Sequence, residues 1–225
     1  MTHLVLVRHG QTEWHADNRY AGVSDVALTA QGVEQARQLA AWSASAGLDE
    51  IWCSTLSRAQ LTARLCADSS GSPLHVDRRL RELDFGAAEG LTADDMQQRF
   101  PQALAAFHTD PVADHLPGGE DPEFAAARFT ACLDDISRQH PDGRVLVVAH
   151  TTVIRLALCA LIGVPLREYR RLFPSVRNCA LTELSYSRGR AAVLEFNTPV
   201  QRVVVPDDGP PASAAAAAVT SKGSA

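Results

Sequence analysis

The sequence predicts an α/β fold, a three-layer α/β/α sandwich built around a mostly parallel central sheet. Two short apolar runs, residues 4–7 and 145–149, are typical of strands that are buried on both faces of a parallel sheet. Segments with helical periodicity follow strand-like segments along the chain, and this alternation implies right-handed crossovers with helices on both faces. With 225 residues and 46% hydrophobic content, the chain is long enough to form one large domain.

The first half of the chain supplies two strand–helix units and an insertion. After the first apolar run, Thr29 is a candidate N-cap for a helix that ends at Gly47. Residues 50–53 predict a second strand, which leads into a helix that starts near Ser57. The stretch of about 92–120 is loosely helical and interrupted by prolines, which favours a short lid insertion over a central layer.

The second half completes the sheet. Asp121-Pro122 is a cap and first-turn pair for another helix, and a further helix over about 152–162 follows the second apolar run. Segments 180–186 and 191–196 are separated by a turn and predict a hairpin, which gives the sheet one antiparallel edge strand.

We assign residues 1–205 to a single domain and residues 206–225 to a disordered tail rich in Ala, Pro and Ser. The tail has too few large apolar residues to offset the entropy of ordering. The N-terminus lacks the pattern of a signal peptide, and no stretch approaches the ~20 apolar residues of a membrane span. The five cysteines show neither metal-site nor disulfide spacing. These features predict a soluble, cytoplasmic protein.

The charge composition restricts the partners. A net charge of −5 argues against nucleic acid or an anionic membrane as a partner. Lys222, near the C-terminus, is the single lysine among the 21 basic residues, which excludes mechanisms that need a lysine in the core, such as P-loop, kinase and Schiff-base chemistry. Any anionic substrate must therefore be bound by arginines, whose planar donor fork suits a phosphoryl group.

Two histidines follow the two apolar runs directly. Arg8-His9-Gly10 comes after the first run and His150 after the second. Because open α/β sheets bind ligands at the carboxyl ends of their strands, we expect these residues to lie together. An imidazole beside a guanidinium is a nucleophile with a phosphate clamp, and Gly10 lets the backbone approach the phosphoryl oxygens. The amides at the start of the helix after His150 would also favour an anion.

Phosphoryl transfer to a histidine without a metal needs cations on the equatorial oxygens, a hydrogen-bond donor and an acid for the leaving alcohol. Arg8, Arg58 and His150 can bind the phosphoryl group. Glu82 can act as the acid if its pKa lies above the usual value of about 4.3. Asp84 and Glu89 lie nearby and are competing candidates for the acid.

Four segments occur in order along the chain: LVLVRHGQTEWHADNRYAGVSDVALTAQGVEQA, WCSTLSRAQLTA, LRELDFGAAEG and VLVVAH. Over about residues 3–160 this series resembles the motifs of the histidine phosphatase, or phosphoglycerate mutase-like, superfamily. The resemblance implies that His9 is the phosphorylated nucleophile, that Glu82 donates the proton, and that Arg8, Arg58 and His150 complete the catalytic set. No metal and no cofactor is predicted.

The resemblance also implies a substrate-binding set: Arg8, Gly10, Thr12, His15, Tyr20, Ala21, Gly22, Arg58, His150 and Thr151. Three of the nearby positions depart from the usual pattern. Gln11 replaces a Glu, Thr151 stands where many members have Gly, and His15 occupies the place of an Asn that touches the phosphate. We expect His15 to donate a hydrogen bond in its place, with a charge that depends on pH. Altered substrate preference is expected, with the chemistry retained.

The predicted function is a histidine acid phosphatase-type phosphomonoester hydrolase that acts on a small phosphorylated metabolite. A cofactor-dependent phosphoglycerate mutase is the alternative, but those enzymes have a longer insertion between the acid and the second histidine. Here 67 residues lie between Glu82 and His150, and a shorter lid should admit water. A non-catalytic phospho-ligand binding module is a third alternative, although it would be expected to lose the nucleophile or the acid. The expected partner is a small phosphate ester, and a homodimer is an open alternative.

Overall fold

The computed structural model describes residues 1–200, which form a central sheet of six strands. The strands are β1 (Thr2–Arg8), β2 (Glu50–Cys53), β3 (Leu74–Val76), β4 (Arg144–Ala149), β5 (Leu181–Ser187) and β6 (Arg190–Thr198). Their order across the sheet is β3-β2-β4-β1-β5-β6. The first four pair in parallel, whereas β5 runs antiparallel to both β1 and β6. The predicted mostly parallel sheet with an antiparallel hairpin at one edge is confirmed.

Seven α-helices accompany this sheet within residues 1–200. They are α1 (Ala30–Ser43), α2 (Ser57–Ser70), α3 (Ala93–Arg99), α4 (Pro101–Thr109), α5 (Pro122–Gln139), α6 (Thr151–Ile162) and α7 (Tyr169–Leu172). Successive side chains of a strand point to opposite faces of a sheet. Val5 and Val7 of β1 therefore pack with α1 and α2, while Leu4 and Leu6 pack with α5 and α6. The two apolar cores on either side of the sheet confirm the three-layer sandwich.

Capping interactions set the helix ends near the site. Thr29 caps α1 by accepting a hydrogen bond from the Gly32 backbone N–H (3.0 Å). The expected end of this helix at Gly47 is wrong, since α1 ends at Ser43. Tighter turn hydrogen bonds, such as that from the Ser45 N–H to the Trp42 carbonyl, replace the helical ones there. Gly163 ends α6 in the left-handed conformation, with φ of 76°.

The segment predicted as a lid, residues 92–120, contains α3 and α4. Its buried side chains include Met96, Leu104 and Phe107, which belong to the apolar core on the α5–α6 side of the sheet. The Phe107 ring lies 6.5 Å from the ring of Tyr20, measured between centroids. The segment therefore borders the carboxyl end of β1 while it is packed into the core.

The predicted tail, residues 206–225, lies outside the described residues, as do residues 201–205 of the predicted domain. Within residues 1–200, every helix is too short or too polar to cross a membrane.

The register of β1 and β4 determines where the chemistry lies. Arg8 pairs with Ala149, so His9 and His150 leave the sheet side by side. The His9 backbone N–H donates to the Ala149 carbonyl (3.1 Å). After His9 the backbone packs directly on α1, where a Cβ atom added to Gly10 would lie 2.3 Å from the Gly32 carbonyl oxygen. Glycine is required at position 10 because of this close backbone approach.

Candidate active site

The two histidines expected to meet do so. The ring centroids of His9 and His150 are 5.0 Å apart, and both side chains are buried at the carboxyl edge of the sheet. His150 is the N-cap residue of α6. Adjacent parallel strands end at one edge, so residues distant in the sequence are brought together there.

Hydrogen bonds orient the His9 ring as a nucleophile. Its Nδ1 lies 2.6 Å from the Gly10 carbonyl oxygen, which only accepts, so Nδ1 carries the proton. Nε2 therefore holds the lone pair, and it accepts a hydrogen bond from Arg58 Nε (3.1 Å). Burial, reinforced by the charges of Arg58 and Arg8, lowers the pKa of His9 well below its usual value. The ring is thus neutral, and Nε2 is its nucleophilic atom.

Arg58 is held in place by backbone carbonyls. Nη1 donates to the Ser24 carbonyl (2.7 Å), and Nη2 donates to the carbonyls of Gly22 (2.6 Å) and Ala21 (3.3 Å). The side chain is almost completely buried, with a residue exposure of 1%. Ala21 and Gly22, which were predicted to bind substrate, therefore also fix the orientation of this guanidinium.

Glu89 is a positioning residue that the sequence analysis did not assign. Its carboxylate accepts hydrogen bonds from the backbone N–H groups of Gly22, Val23 and Ser24 (3.1–3.2 Å) and from the Ser24 hydroxyl (2.6 Å). It also accepts from the Phe85 N–H (3.1 Å). These bonds hold the loop whose carbonyls hold Arg58. Glu89 and Asp84, the competing candidates for the acid, do not line the pocket that contains His9 and Glu82.

Glu82 lies at the N-terminus of α6, where the backbone offers three donors. Its carboxylate accepts from the N–H groups of Leu83 (2.8 Å), Thr152 (2.9 Å) and Val153 (3.1 Å). Burial raises the pKa of Glu82, although these N–H groups and Arg58 act in the opposite direction. The side chain therefore keeps its proton to a higher pH than an exposed glutamate does, as a proton donor requires.

The structure places His15 between Arg8 and Thr12, and its expected hydrogen bond toward the phosphate stays a prediction. Its Nε2 contacts Arg8 Nη2, a group that can only donate. Its Nδ1 accepts a hydrogen bond from the Thr12 backbone N–H (3.0 Å) and lies 2.8 Å from the Thr12 hydroxyl. Burial and the charge of Arg8 lower the pKa of His15 to about 4, so the ring is neutral at physiological pH. His15 orients Arg8, which also donates to the Val176 carbonyl (2.9 Å).

Several donors in this cluster have no partner within residues 1–200. Both ring nitrogens of His150 and the Nε of Arg8 are buried and make no hydrogen bond. Burial lowers the pKa of His150 well below its usual value and that of Arg8 to about 10, so the imidazole is neutral and the guanidinium is charged. Buried donors without partners are costly, so they favour an oxygen-rich anion at this position.

These groups surround a pocket of about 360 Å³. Of the predicted substrate-binding residues, six line it: Arg8, Thr12, His15, Tyr20, Ala21 and Thr151. The other four do not line it: Arg58 and His150 are buried, and Gly10 and Gly22 bind His9 and Arg58 through their backbone carbonyls. His9 and Glu82 line the same pocket, so the structure brings all five predicted catalytic residues together.

Arg19, which belongs to the loop that the family resemblance implies at the pocket, also lines it. Sequence reasoning missed five further lining residues: Trp14, Asn18, Phe85, Thr152 and Arg155. A usable signal existed for Arg155, which follows Thr151 by four residues and so lies on the same helix face. Phe85 packs edge-on against Tyr20, with ring centroids 5.0 Å apart, and forms an aromatic wall.

The chain is similar to a known protein family and to several solved structures. The model of the histidine phosphatase superfamily (branch 1) matches residues 4–199. A relative named "Probable phosphoglycerate mutase GpmB" from Enterobacter sp. (strain 638) is 35% identical over 189 residues, which is 83% of this chain and 86% of that protein.

Solved structures also match. YhfR of Bacillus stearothermophilus is 28% identical, with a TM-score of 0.83, and the match covers 89% of this chain and 100% of that one. The alpha-ribazole phosphatase of Shigella flexneri is 28% identical, with a TM-score of 0.78 and coverage of 88% and 96%. A mycobacterial glucosyl-3-phosphoglycerate phosphatase is 28% identical, with a TM-score of 0.80 and coverage of 87% and 99%.

Replacing Glu89 tests its role in positioning Arg58. Glu89→Gln keeps the shape but places an amide NH₂ against backbone N–H donors, so the loop should shift and Arg58 should lose its alignment. We expect kcat/KM for p-nitrophenyl phosphate to fall about 10–100-fold, as for other supporting residues around a site. Steady-state kinetics measure this loss.

The control is Glu34→Gln, which changes a half-exposed carboxylate on α1 and should leave kcat/KM unchanged. If Glu89 acts through Arg58, the effects of Glu89→Gln and Arg58→Gln should not add in the double variant. Additive losses would show that Glu89 acts independently of Arg58.

Proposed function

Because the chain belongs to branch 1 of the histidine phosphatase superfamily, we propose that it hydrolyses a small phosphorylated metabolite through a phosphohistidine formed on His9. One observation carries this proposal. A neutral, buried imidazole with its lone pair on Nε2 lies in a pocket that also holds a glutamate of raised pKa, and the guanidinium groups of Arg8 and Arg58 lie beside it. This is the set of groups that phosphoryl transfer to histidine requires.

In the first step, His9 Nε2 attacks the phosphorus atom as the bond from phosphorus to the alcohol oxygen breaks. Glu82 transfers its proton to the departing oxygen, and a P–N bond joins the phosphoryl group to His9. Arg8, Arg58 and the neutral His150 bind the equatorial oxygens. They are in position before the reaction, so their reorganisation costs little in the transition state.

In the second step, the Glu82 carboxylate takes a proton from a water molecule, whose oxygen attacks phosphorus. The P–N bond breaks, inorganic phosphate leaves and neutral His9 is restored. Glu82 thus ends the cycle protonated, ready to act as an acid again.

The runner-up function is a phosphoglycerate mutase, in which a hydroxyl of the bound ligand replaces water in the second step. The name of the Enterobacter relative supports it. Two observations favour hydrolysis. The segment between Glu82 and His150 is short, and the solved structures of similar size and fold include an alpha-ribazole phosphatase and a glucosyl-3-phosphoglycerate phosphatase.

The role of Glu82 predicts a dependence on the leaving group. Glu82→Gln should lower the rate constant of the phosphorylation step about 10²–10⁴-fold for an alkyl phosphate, whose alkoxide needs a proton. The loss should be much smaller for p-nitrophenyl phosphate, because p-nitrophenolate leaves without one. Single-turnover kinetics with both esters measure the phosphorylation step, and equal losses with both would argue against Glu82 as the acid.

The pKa direction of Glu82 also fixes the sign of the pH dependence. Since the proton is present below the raised pKa, the phosphorylation rate for the alkyl ester should fall as pH rises through that value. His9 has a lowered pKa and stays neutral across this range, so it adds no loss there.

The choice between hydrolase and mutase is tested by assaying products from a panel of phosphomonoesters that includes 3-phosphoglycerate. We expect inorganic phosphate release that disappears in His9→Ala and persists in EDTA, because guanidinium and imidazole groups stabilise the phosphoryl charge. Formation of 2-phosphoglycerate with little free phosphate would establish a mutase instead. Loss of activity in EDTA would contradict the metal-independent mechanism.

A further inference from the structure

Arg155 is a guanidinium in the catalytic pocket that the mechanism above does not use. It lies on α6 and lines the same pocket as His9 and Glu82. Its Nε is buried and has no hydrogen-bond partner within residues 1–200. Within residues 1–200, Arg155 forms no salt bridge, and Glu82 is the pocket carboxylate whose charge raises the pKa of Arg155, against the larger lowering by burial.

The side chain is nevertheless held in place. The Arg155 guanidinium carbon lies 4.8 Å from the centroid of the Tyr169 ring, a cation–π arrangement, and Tyr169 is itself buried. An aromatic face orients a guanidinium without neutralising its charge. The N–H edge of the group is therefore left to bind an anion, for which its planar fork is well suited.

The charges in the pocket indicate that Arg155 can bind an anionic group. Arg8, Arg58 and Arg155 are positive, whereas His9, His15 and His150 are neutral because burial lowers their pKa values. A phosphomonoester carries about two negative charges near neutral pH. With Glu82 protonated for catalysis, a phosphoryl dianion balances Arg8 and Arg58, and one positive charge remains.

Arg19, the other guanidinium of the pocket, does not contribute to this excess. Its Nε donates to the Asp17 carboxylate (3.2 Å), and its Nη1 donates to the Gly90 carbonyl (2.9 Å). The positive charge that the phosphoryl dianion leaves unbalanced is therefore that of Arg155. This residue lies beside the first turn of α6, where Thr151 also lines the pocket.

We propose that Arg155 binds a second anionic group of the substrate, so that the enzyme prefers small phosphomonoesters that also carry a carboxylate or a second phosphate. This inference rests on the proposed phosphatase function and names the substrate class of the same site. The pocket volume of about 360 Å³ lies at the low end of small-molecule sites and agrees with a small acidic metabolite.

Matched pairs of esters test the subsite. 3-Phosphoglycerate and glycerol 3-phosphate differ by a carboxylate in place of a hydroxymethyl group, and fructose 1,6-bisphosphate and fructose 6-phosphate differ by one phosphate. We expect kcat/KM to favour the more acidic member of at least one pair by about tenfold or more, the effect of one charge-assisted hydrogen bond. The pair that shows this preference distinguishes a carboxylate from a phosphate.

In Arg155→Gln this ratio should fall close to one, with the loss on the acidic ester. Arg155→Lys should retain part of the preference, because it keeps the charge without the fork. Arg37→Gln, which changes an exposed arginine on α1, is the matched control and should keep the wild-type ratio. Two results would overturn the proposal. One is an equal loss of kcat/KM for both members of each pair in Arg155→Gln. The other is a wild-type kcat/KM ratio near one in both pairs.

Binding to His9→Ala separates this proposal from the proposed function. Calorimetry with 3-phosphoglycerate and glycerol 3-phosphate reads the preference without turnover, and the His9→Ala/Arg155→Gln variant should lose it. Preferential binding of the acidic ester with no phosphate release by the wild type would support the subsite and refute the hydrolase. His9-dependent release with no preference for acidic esters would support the hydrolase and refute the subsite.

Discussion

Burial of the Arg58 guanidinium beside His9 is the constraint on which the rest of the site depends. A charged group at this depth is tolerated only if its donors are satisfied. The carbonyls of Ala21, Gly22 and Ser24 satisfy them, and Glu89 in turn holds the N–H groups of that loop. The glycine at position 22 fits this design, since an added Cβ would lie 2.0 Å from a Glu89 carboxylate oxygen. The geometry of the phosphoryl site therefore depends on Arg58, on the loop carbonyls that bind Arg58, and on Glu89, which holds that loop.

The same burial gives the nucleophile and the acid their working states. Guanidinium groups around His9 and His150 oppose a further positive charge, so burial and charge act together to keep both imidazoles neutral. For Glu82, burial favours the protonated acid while the neighbouring cation and N–H donors oppose it. When the proton has left, those donors are in place to stabilise the carboxylate. Glu82 gives up a proton and takes one up in each cycle. Burial favours its protonated state, and the donors stabilise its carboxylate state.

The parts of this arrangement that could be predicted are those with a local signal. Two buried apolar runs, each followed by a histidine, were enough to indicate adjacent parallel strands and a site at their ends. The role of Glu89 could not be predicted from pattern, because the loop that it holds lies more than sixty residues earlier in the chain. The behaviour of His15 depends on its contact with Arg8, which only the folded loop creates. Arg155 had a helical-spacing signal, but its lack of a partner is a property of the fold.

The central claim is that His9 Nε2 forms a covalent bond to phosphorus. It is tested most directly by rapid mixing of excess enzyme with a ³²P-labelled phosphomonoester, followed by an alkaline quench and peptide mapping. The account predicts label on the peptide that contains His9 within the first turnover, stable in alkali, labile in acid and lost at the rate at which phosphate appears. Phosphate release with no labelled enzyme at any time, or label on another residue, would contradict it.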